Sequence, residues 1–309
     1  MTIKISIAIP THNRADLVGD TLASVFAIRI PNGYEAECVV IDNASTDSTA
    51  SIVDSALCNA PFPARRVVES RLGSSFARNR AIDETRGEMI LFIDDDAIAS
   101  EDWAQELIVE MERRSLDVAC GMVIPKWDVA PPQWLKPLLW SKLAIHDQEA
   151  MLAAPAGAEE KLANYFSANF AIGRSAFDRF GRFREDLGVV GGNPISGEDT
   201  ELFARIMTGG GKIGFARRAV IRHRIGPERM TREYLCRKSF AFGVGSAIAP
   251  GKSHNRLDKL LKNLFRTVSA WARGDSTAVV YHQMECMNFF GYWWGRAVVG
   301  RHKRRTAIP

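Results

Sequence analysis

Over the first 125 residues, short apolar runs that read as strands alternate with longer stretches that read as helices. This rhythm constrains the fold more than any other feature. A strand–helix–strand unit returns to the same sheet in parallel, so its repetition predicts a doubly wound, mostly parallel sheet flanked by helices. The expected strands are Lys4–Ile9, Cys38–Ile41, Val67–Val68, Met89–Ile93 and Asp117–Pro125. Between them, helices are expected over Ala15–Ala27, from the turn after Asp42 to Leu57, from Ser74 to Gly87, and over Glu101–Arg114. In such sheets ligands bind beyond the carboxyl ends of the strands. Pro10–Arg14, Asp42–Asp47 and Asp94–Asp96 all fall at such ends, so they are expected to meet in one crevice.

The pattern changes after Pro125. Lys126–Leu162 is rich in Trp, Pro and Ala without a clean period and reads as irregular. A strand at Phe166–Ile172, a helix at Ser175–Phe180, a glycine-bearing loop and a helix from Gly197 to Met207 follow. Two short strands then lead to His223. Beyond Thr231 the chain reads as helical, apart from a break at Pro250–Asn255. We therefore expect a catalytic unit over residues 1–230 and a helical, basic region over 231–309. From Gly251 onward there are eleven Lys/Arg against three Asp/Glu, a local excess of +8 in a chain whose net charge is +4. Such a tail suits an anionic membrane surface or is simply a solvated helical face; nucleic acid is disfavoured, because the basic residues do not cross a stacking platform. Five cysteines, an odd number without a CxxC pair, argue for a reducing compartment. The opening MTIKISIAIP lacks a signal-peptide layout, and no run of some eighteen apolar residues occurs, so a cytoplasmic location, with peripheral attachment at the inner membrane face, is expected.

Three consecutive acids, Asp94, Asp95 and Asp96, follow the apolar run Met89–Ile93. On an extended chain Asp94 and Asp96 would share one side, about 6 Å apart, repelling by roughly 2–3 kcal/mol at an effective dielectric near 20. Solvent, a positive partner or a divalent cation must offset that, and hard oxygen ligands suit Mg²⁺ or Mn²⁺. An acidic turn capping the next helix is the plainer reading. His223, at the end of an apolar run, is either an ordinary histidine or a further metal ligand. Asp42 is placed to accept from a base or ribose, or to form an Asx turn. Arg71 and Arg78 flank a helix start at Ser74-Ser75 and suit a diphosphate or surface ion pairs. Glu198 and Asp199 open a helix, where the macrodipole favours acids and a general base would also be well placed. Trp127, Trp134 and Trp140 suit sugar stacking, although packing is the commoner role. The run Met284–Trp294, with Arg296, Arg301, Lys303, Arg304 and Arg305 after it, suits either core packing or a bilayer interface.

These residues resemble a known family. PTHNR at Pro10–Arg14, VVIDNASTD at Val39–Asp47, ARNRA at Ala77–Ala81, LFIDDDA at Leu91–Ala97 and GEDTEL at Gly197–Leu202 are similar, in order and spacing, to the family 2 glycosyltransferases of GT-A fold. FGRFREDLG at Phe180–Gly188 resembles the family's segment before its Glu-Asp pair. The likeness spans roughly Ile3 to Arg224 and weakens over Lys126–Leu162. It implies metal-dependent, inverting transfer of a sugar from a nucleotide-diphosphate donor, often UDP-linked, to a saccharide or lipid-linked acceptor. By position, Pro10, Thr11, Asn13 and Arg14 would lie near the nucleotide, with Asp42 and Asn43 at the base and Arg71 and Arg78 near the base and phosphates. Asp94 and Asp95 would line the donor site, Asp95 near the ribose. Asp96 would meet the metal, with His223 as a further ligand, and Asp199, or its neighbour Glu198, would be the base. No QxxRW-like segment is present, which favours single additions in polysaccharide or glycolipid assembly. A sugar-nucleotide nucleotidyltransferase would share the sheet but carry a glycine-rich loop where PTHNR stands, and a non-catalytic nucleotide-binding protein would bind metal and donor without turnover.

Overall fold

The computed structural model describes residues 5–155, 165–188, 197–248 and 257–305. The first strands, β1 (Ile5–Thr11), β2 (Ala36–Asp42) and β4 (Met89–Ile93), are almost wholly buried. Strands covered on both faces need apolar residues at successive positions, which is why these runs lack simple alternation. Their side chains still alternate between two cores. Ile5, Ile7 and Ile9, with Cys38, Val40, Leu91 and Ile93, face one cluster, while Ala8, Val39, Ile41, Ile90 and Phe92 face the other. Helices α1 (Val18–Phe26), α2 (Thr49–Leu57) and α4 (Trp103–Arg114) cover the first cluster. The second lies under α3 (Ser74–Glu84), α6 (Arg174–Phe180) and α7 (Glu198–Thr208). A short helix, α5 (Gln148–Ala153), precedes α6 in the chain.

The remaining strands are β3 (Ala64–Val68), β5 (Ala97–Ala99), β6 (Val118–Trp127), β7 (Asn169–Gly173) and β8 (Ile213–Ile225), and the order across the sheet is β3-β2-β1-β4-β7-β6-β8-β5. Strands β3, β2, β1 and β4 pair in parallel, as do β6 and β8. Strand β7 runs antiparallel to β4 and β6, and β5 antiparallel to β8. The sheet is therefore mixed, with parallel pairs in a small majority. The two short strands expected before His223 are one strand, β8, whose pairing with β6 shifts register opposite Gly121 and Met122. Arg217, Arg218 and Ala219 bulge out there, so two charges interrupt the apolar pattern without ending the strand. Gly121 permits this junction. A Cβ at that position would strike the Asn169 side chain, which bonds the carbonyls of Met122 and Ala219 and accepts from Trp103 Nε1.

Glu37 is the one acid in the middle of β2 and is buried. It accepts from Ser6 Oγ at 2.8 Å, Arg65 Nη1 at 2.9 Å and the Arg86 amide at 2.6 Å. Burial opposes its ionisation, but these donors outweigh that and hold its pKa below the usual glutamate range. A depressed folded pKa contributes stability that is complete above the unfolded value of about 4.3 and is lost as pH falls through the folded value. Glu37→Gln should therefore be less stable at pH 7 and show a smaller stability loss on acidification below pH ~4 than the parent, measured by urea unfolding at both pH values.

After two 3₁₀ turns, Pro137–Leu143 and Pro227–Arg229, the chain ends in α8 (Arg232–Ile248), α9 (Leu257–Ala272) and α10 (Ser276–Arg305). Helices α8 and α10 approach at Gly243 and Gly291, where an added Cβ would strike the carbonyls of Asn288 and Phe240. Leu235, Val280 and Met284 join the first sheet cluster. The Met284–Trp294 run thus divides: Met284, Cys286 and Tyr292 are buried, while Phe290, Trp293 and Trp294 are exposed. The expected break at Pro250–Asn255, the second half of the glycine-bearing loop and the end of Lys126–Leu162 lie outside the described residues. No helix among the described residues is long and apolar enough to cross a membrane.

Candidate active site

Strand β4 ends at Ile93 and the chain turns at once, the Ala97 amide donating to the Asp94 carbonyl at 3.2 Å. It re-enters the sheet as β5, with Ala97 opposite His223 and the Arg224 amide bonded to the Asp96 carbonyl at 2.9 Å. The extended geometry expected for Asp94 and Asp96 does not occur, because pairing of β5 with β8 requires the reversal. All three carboxylates instead line one cavity of about 410 Å³ beyond the ends of β1, β2 and β4. The same pairing carries His223 to Asp96.

The acids are neutralised unequally. Asp96 Oδ2 accepts from Arg229 Nη2 at 2.7 Å, and Arg14 Nη2 stands 3.8 Å away. Arg14 Nε also lies 3.4 Å from Asp95 Oδ1. Burial opposes ionisation of Asp96, but the Arg229 and Arg14 guanidinium groups outweigh it and hold the carboxyl far below the usual range. Desolvation pushes Asp95 up, and the Asp96 charge adds to the shift. Asp94 is also raised by desolvation, partly offset by Arg78 Nη2 at 3.4 Å. His223 Nε2 is 2.8 Å from Arg229 Nη1 and 3.3 Å from Asp96 Oδ1. A guanidinium only donates, so Nε2 is the acceptor there; its one ring lone pair is engaged by Arg229, and it has no hydrogen to offer Asp96 Oδ1. Asp96 Oδ1 is correspondingly buried without a hydrogen-bond donor.

That orphaned oxygen bears on the divalent ion that the family resemblance implies. The 3.3 Å between Asp96 Oδ1 and His223 Nε2 would let both atoms hold one small divalent ion once Arg229 gives up Nε2. No group of three or more His, Cys, Asp or Glu arranged to hold a metal occurs among the described residues. A site with few protein ligands is normal for an ion that also binds substrate phosphates and water. The donor set therefore fits.

Glu198 and Asp199 begin α7 after Gly197, whose φ of +106° suits glycine at this N-cap. Both reach the cavity wall, but they differ. Glu198 is buried, ion-paired with Arg78 Nη1, and accepts from Ser74 Oγ at 2.8 Å. Asp199 is half-buried and makes no ion pair with a described residue; its Oδ1 accepts from the Thr200 amide at 2.7 Å. Adjacent helical side chains diverge by about 100°, which separates the two roles.

Pro10, Thr11, Arg14 and Asn43 also line the cavity, as does Arg78. Asn43 acts mainly on the backbone: Nδ2 donates to the Arg71 carbonyl at 2.7 Å and Oδ1 accepts from the Gly73 amide at 2.8 Å, fixing the loop before α3. Asn13, Asp42 and Arg71 are not on the wall. Asn13, in the left-handed region, accepts from the Thr46 amide at 2.8 Å and joins the first two loops. Asp42 is held by Arg66 Nη1 at 3.2 Å and the Ser45 amide at 3.1 Å. Arg71 pairs with Glu69 and stacks over Phe76. Trp127 and Trp140 pack edge to face, 5.8 Å between centroids, and Trp134 lies under Arg232.

Residues not singled out in the sequence complete the wall: Arg229 after β8, and Lys142, Tyr234, Lys238 and Phe242 from the 137–144 turn and α8. Lys142 lies over the Phe242 ring at 4.5 Å, and burial lowers its pKa. Their positions depend on the packing of α8, so no local motif marks them.

The profile of glycosyl transferase family 2 matches residues 6–180. The succinoglycan biosynthesis protein ExoM of Rhizobium meliloti is 26% identical over 257 residues, 83% of this chain and 75% of that protein. Among solved structures, the mannosyltransferase PcManGT from Pyrobaculum calidifontis, in complex with GDP-Man and Mn²⁺, superimposes with a TM-score of 0.66 at 17% identity, covering 96% of this chain and 88% of that one. S. aureus TarS 1-349 in complex with UDP gives 0.51 at 16% identity, covering 97% and 92%. The motifs, the mixed sheet and the profile match over more than half the chain agree: this chain is a glycosyltransferase of GT-A fold and belongs to glycosyl transferase family 2.

Proposed function

We propose that the protein transfers a sugar, with inversion, from a nucleoside-diphosphate donor to an acceptor hydroxyl. One observation carries this reading: a single cavity holds a neutralised acidic pole at Asp96 and a second carboxylate, Asp199, that no described cation pairs. Asp96 and His223 would hold a Mn²⁺ or Mg²⁺ ion, which when bound would stabilise charge on the departing diphosphate. Arg14 and Arg78 supply fixed positive charge on the same side, and Thr11 and Asn43 border the nucleotide. Asp95 is the candidate for the ribose and Asp42, behind the wall, for supporting the base loop. Asp199 takes the proton of the acceptor hydroxyl as it attacks the anomeric carbon from the face opposite the leaving group. Glu198 holds Arg78 in place.

The bound GDP-Man and Mn²⁺ of PcManGT and the UDP of TarS support this class of donor, and we expect UDP as the nucleotide. Lys142 and Lys238 border the cavity beside α8 without ion-pair partners among the described residues, which favours an acceptor bearing a negative group. A lipid-linked saccharide phosphate has that chemistry, and the similarity to ExoM, a succinoglycan biosynthesis protein, supports polysaccharide assembly. Such an acceptor would place the enzyme peripherally at a membrane face. Screening UDP- and GDP-sugars for hydrolysis and transfer, with Mn²⁺, Mg²⁺ or excess EDTA, tests the reading. Turnover of at least one donor, abolished by EDTA, is expected; full activity in EDTA would remove the metal, and no turnover of any donor would remove the transfer.

A further inference from the structure

Helix α9 carries large apolar side chains that the protein leaves uncovered. Leu257, Leu261, Leu264, Phe265, Val268 and Trp271 are each between 46% and 77% exposed. They recur at i, i+4, i+7, i+8, i+11 and i+14 and so form one stripe, about 21 Å long at 1.5 Å per residue. The helix has two other faces. Leu260 and Ala270 are buried, and Asn263 Oδ1 meets His282 Nδ1 of α10 at 3.1 Å. Lys259, Lys262 and Arg266 lie roughly opposite the stripe on the wheel, and Arg273 follows the last turn.

The occupant of the stripe can be argued from charge and size. An apolar face of Leu, Phe and Trp backed by a Lys/Arg face is the pattern of a helix lying in a bilayer interface, the cations reaching the headgroups. A second copy fits less well: a strip about 21 Å by 10 Å is far below the ~800 Å² per partner of a stable interface. Helix α10 also exposes apolar side chains. The antiparallel turn and the Asn263–His282 contact bring the start of α9 level with about Asn288 of α10, so the exposed Phe290 lies near that end and the exposed Trp293, Trp294 and Arg296 lie beyond it. Leu264 further borders a groove of about 450 Å³ between α8, α9 and α10, walled by Cys236, Cys286 and Met287.

We propose that α9 is an interfacial anchor, lying in the plane of an anionic bilayer with the Leu257–Trp271 stripe among the acyl chains and its basic face in the headgroup layer. This deepens the peripheral placement suggested above but does not need the transfer reaction. The test therefore reads binding alone, and its failure leaves the sugar-transfer reading standing.

The experiment sediments the full chain with vesicles of equal parts phosphatidylglycerol and phosphatidylcholine, and with phosphatidylcholine alone. The parent should bind the anionic vesicles, and the Phe265→Ser/Trp271→Ser double variant should bind them on the order of 10-fold less. Because both positions are exposed, the variant should keep the parent's circular dichroism and melting temperature. Lys259→Gln/Lys262→Gln/Arg266→Gln should reduce binding to anionic vesicles and weaken its salt dependence. Equal binding by parent and serine variant would overturn the proposal. So would a parent that ignores both vesicles but forms a dimer that the serine changes dissociate, since the stripe would then be covered by a second copy.

Discussion

Asp199→Asn is expected to lower sugar transfer by about 10²–10⁴-fold while leaving donor and Mn²⁺ binding intact. The amide keeps the side chain's shape and its hydrogen bond from Thr200 but cannot take a proton. Loss should appear in kcat, with the donor KM little changed. Glu198→Gln provides the contrast. Glu198 is buried against Arg78 and Ser74, and removing its charge leaves Asp94 as the one ion-pair partner of Arg78 among the described residues. Breaking a buried ion pair costs about 3–5 kcal/mol, so this variant should melt earlier and bind donor more weakly. Single-turnover kinetics, isothermal titration of a nucleoside diphosphate and thermal melts separate the two patterns. If Asp199→Asn retains near-normal transfer while Glu198→Gln loses it without loss of stability, the roles are reversed. If both retain transfer, a base at the start of α7 must be given up.

Asp96→Asn should abolish donor turnover and reduce Mn²⁺ binding below detection in a titration with nucleoside diphosphate present. The argument is local: Asp96 Oδ1 is buried, lacks a hydrogen-bond donor and stands 3.3 Å from His223 Nε2, so a cation there would satisfy it. Asn is preferred to Ala because it retains a polar acceptor for Arg229, which would otherwise lose its carboxylate partner in a buried position. His223→Ala should weaken Mn²⁺ affinity by about 10-fold or more, a scale taken from changes around metal ligands. Unchanged Mn²⁺ affinity in both variants would mean that the pair only anchors Arg229.

Much of this site was legible along the chain. The apolar runs at β1, β2 and β4 mark strands buried on both faces, because such strands need hydrophobic residues in succession, and the ligand side then follows from the rule for parallel strand ends. The acidic triplet and Arg14 could therefore be assigned to one crevice, as could Asp42, which lies behind its wall, whereas Arg78 and the Glu-Asp pair were placed near the donor and the acceptor by the family resemblance. Other residues could not be placed this way. Asn13 and Arg71 sit within the matching motifs, yet their side chains bind the neighbouring turn and Glu69, because short polar chains in loops satisfy the nearest backbone or charge.

The chain's own pattern sets the local choices: where apolar periodicity makes strands and helices, and which acids end them. Tertiary structure alone decided how those choices meet. Pairing of the three-residue β5 with β8 joins Asp96 to His223 across 127 positions, and packing of α8 brings Lys142 and Lys238 to the same cavity as Asp199. It also decided that Glu198 is committed to Arg78 while Asp199 is not, and that the apolar stripe of α9 faces outward although that of α10 is partly buried. The physical reason is the range of the forces involved. Periodicity and capping act within a few residues, whereas charge pairing and burial depend on distances in space that only the completed sheet and its covering helices define.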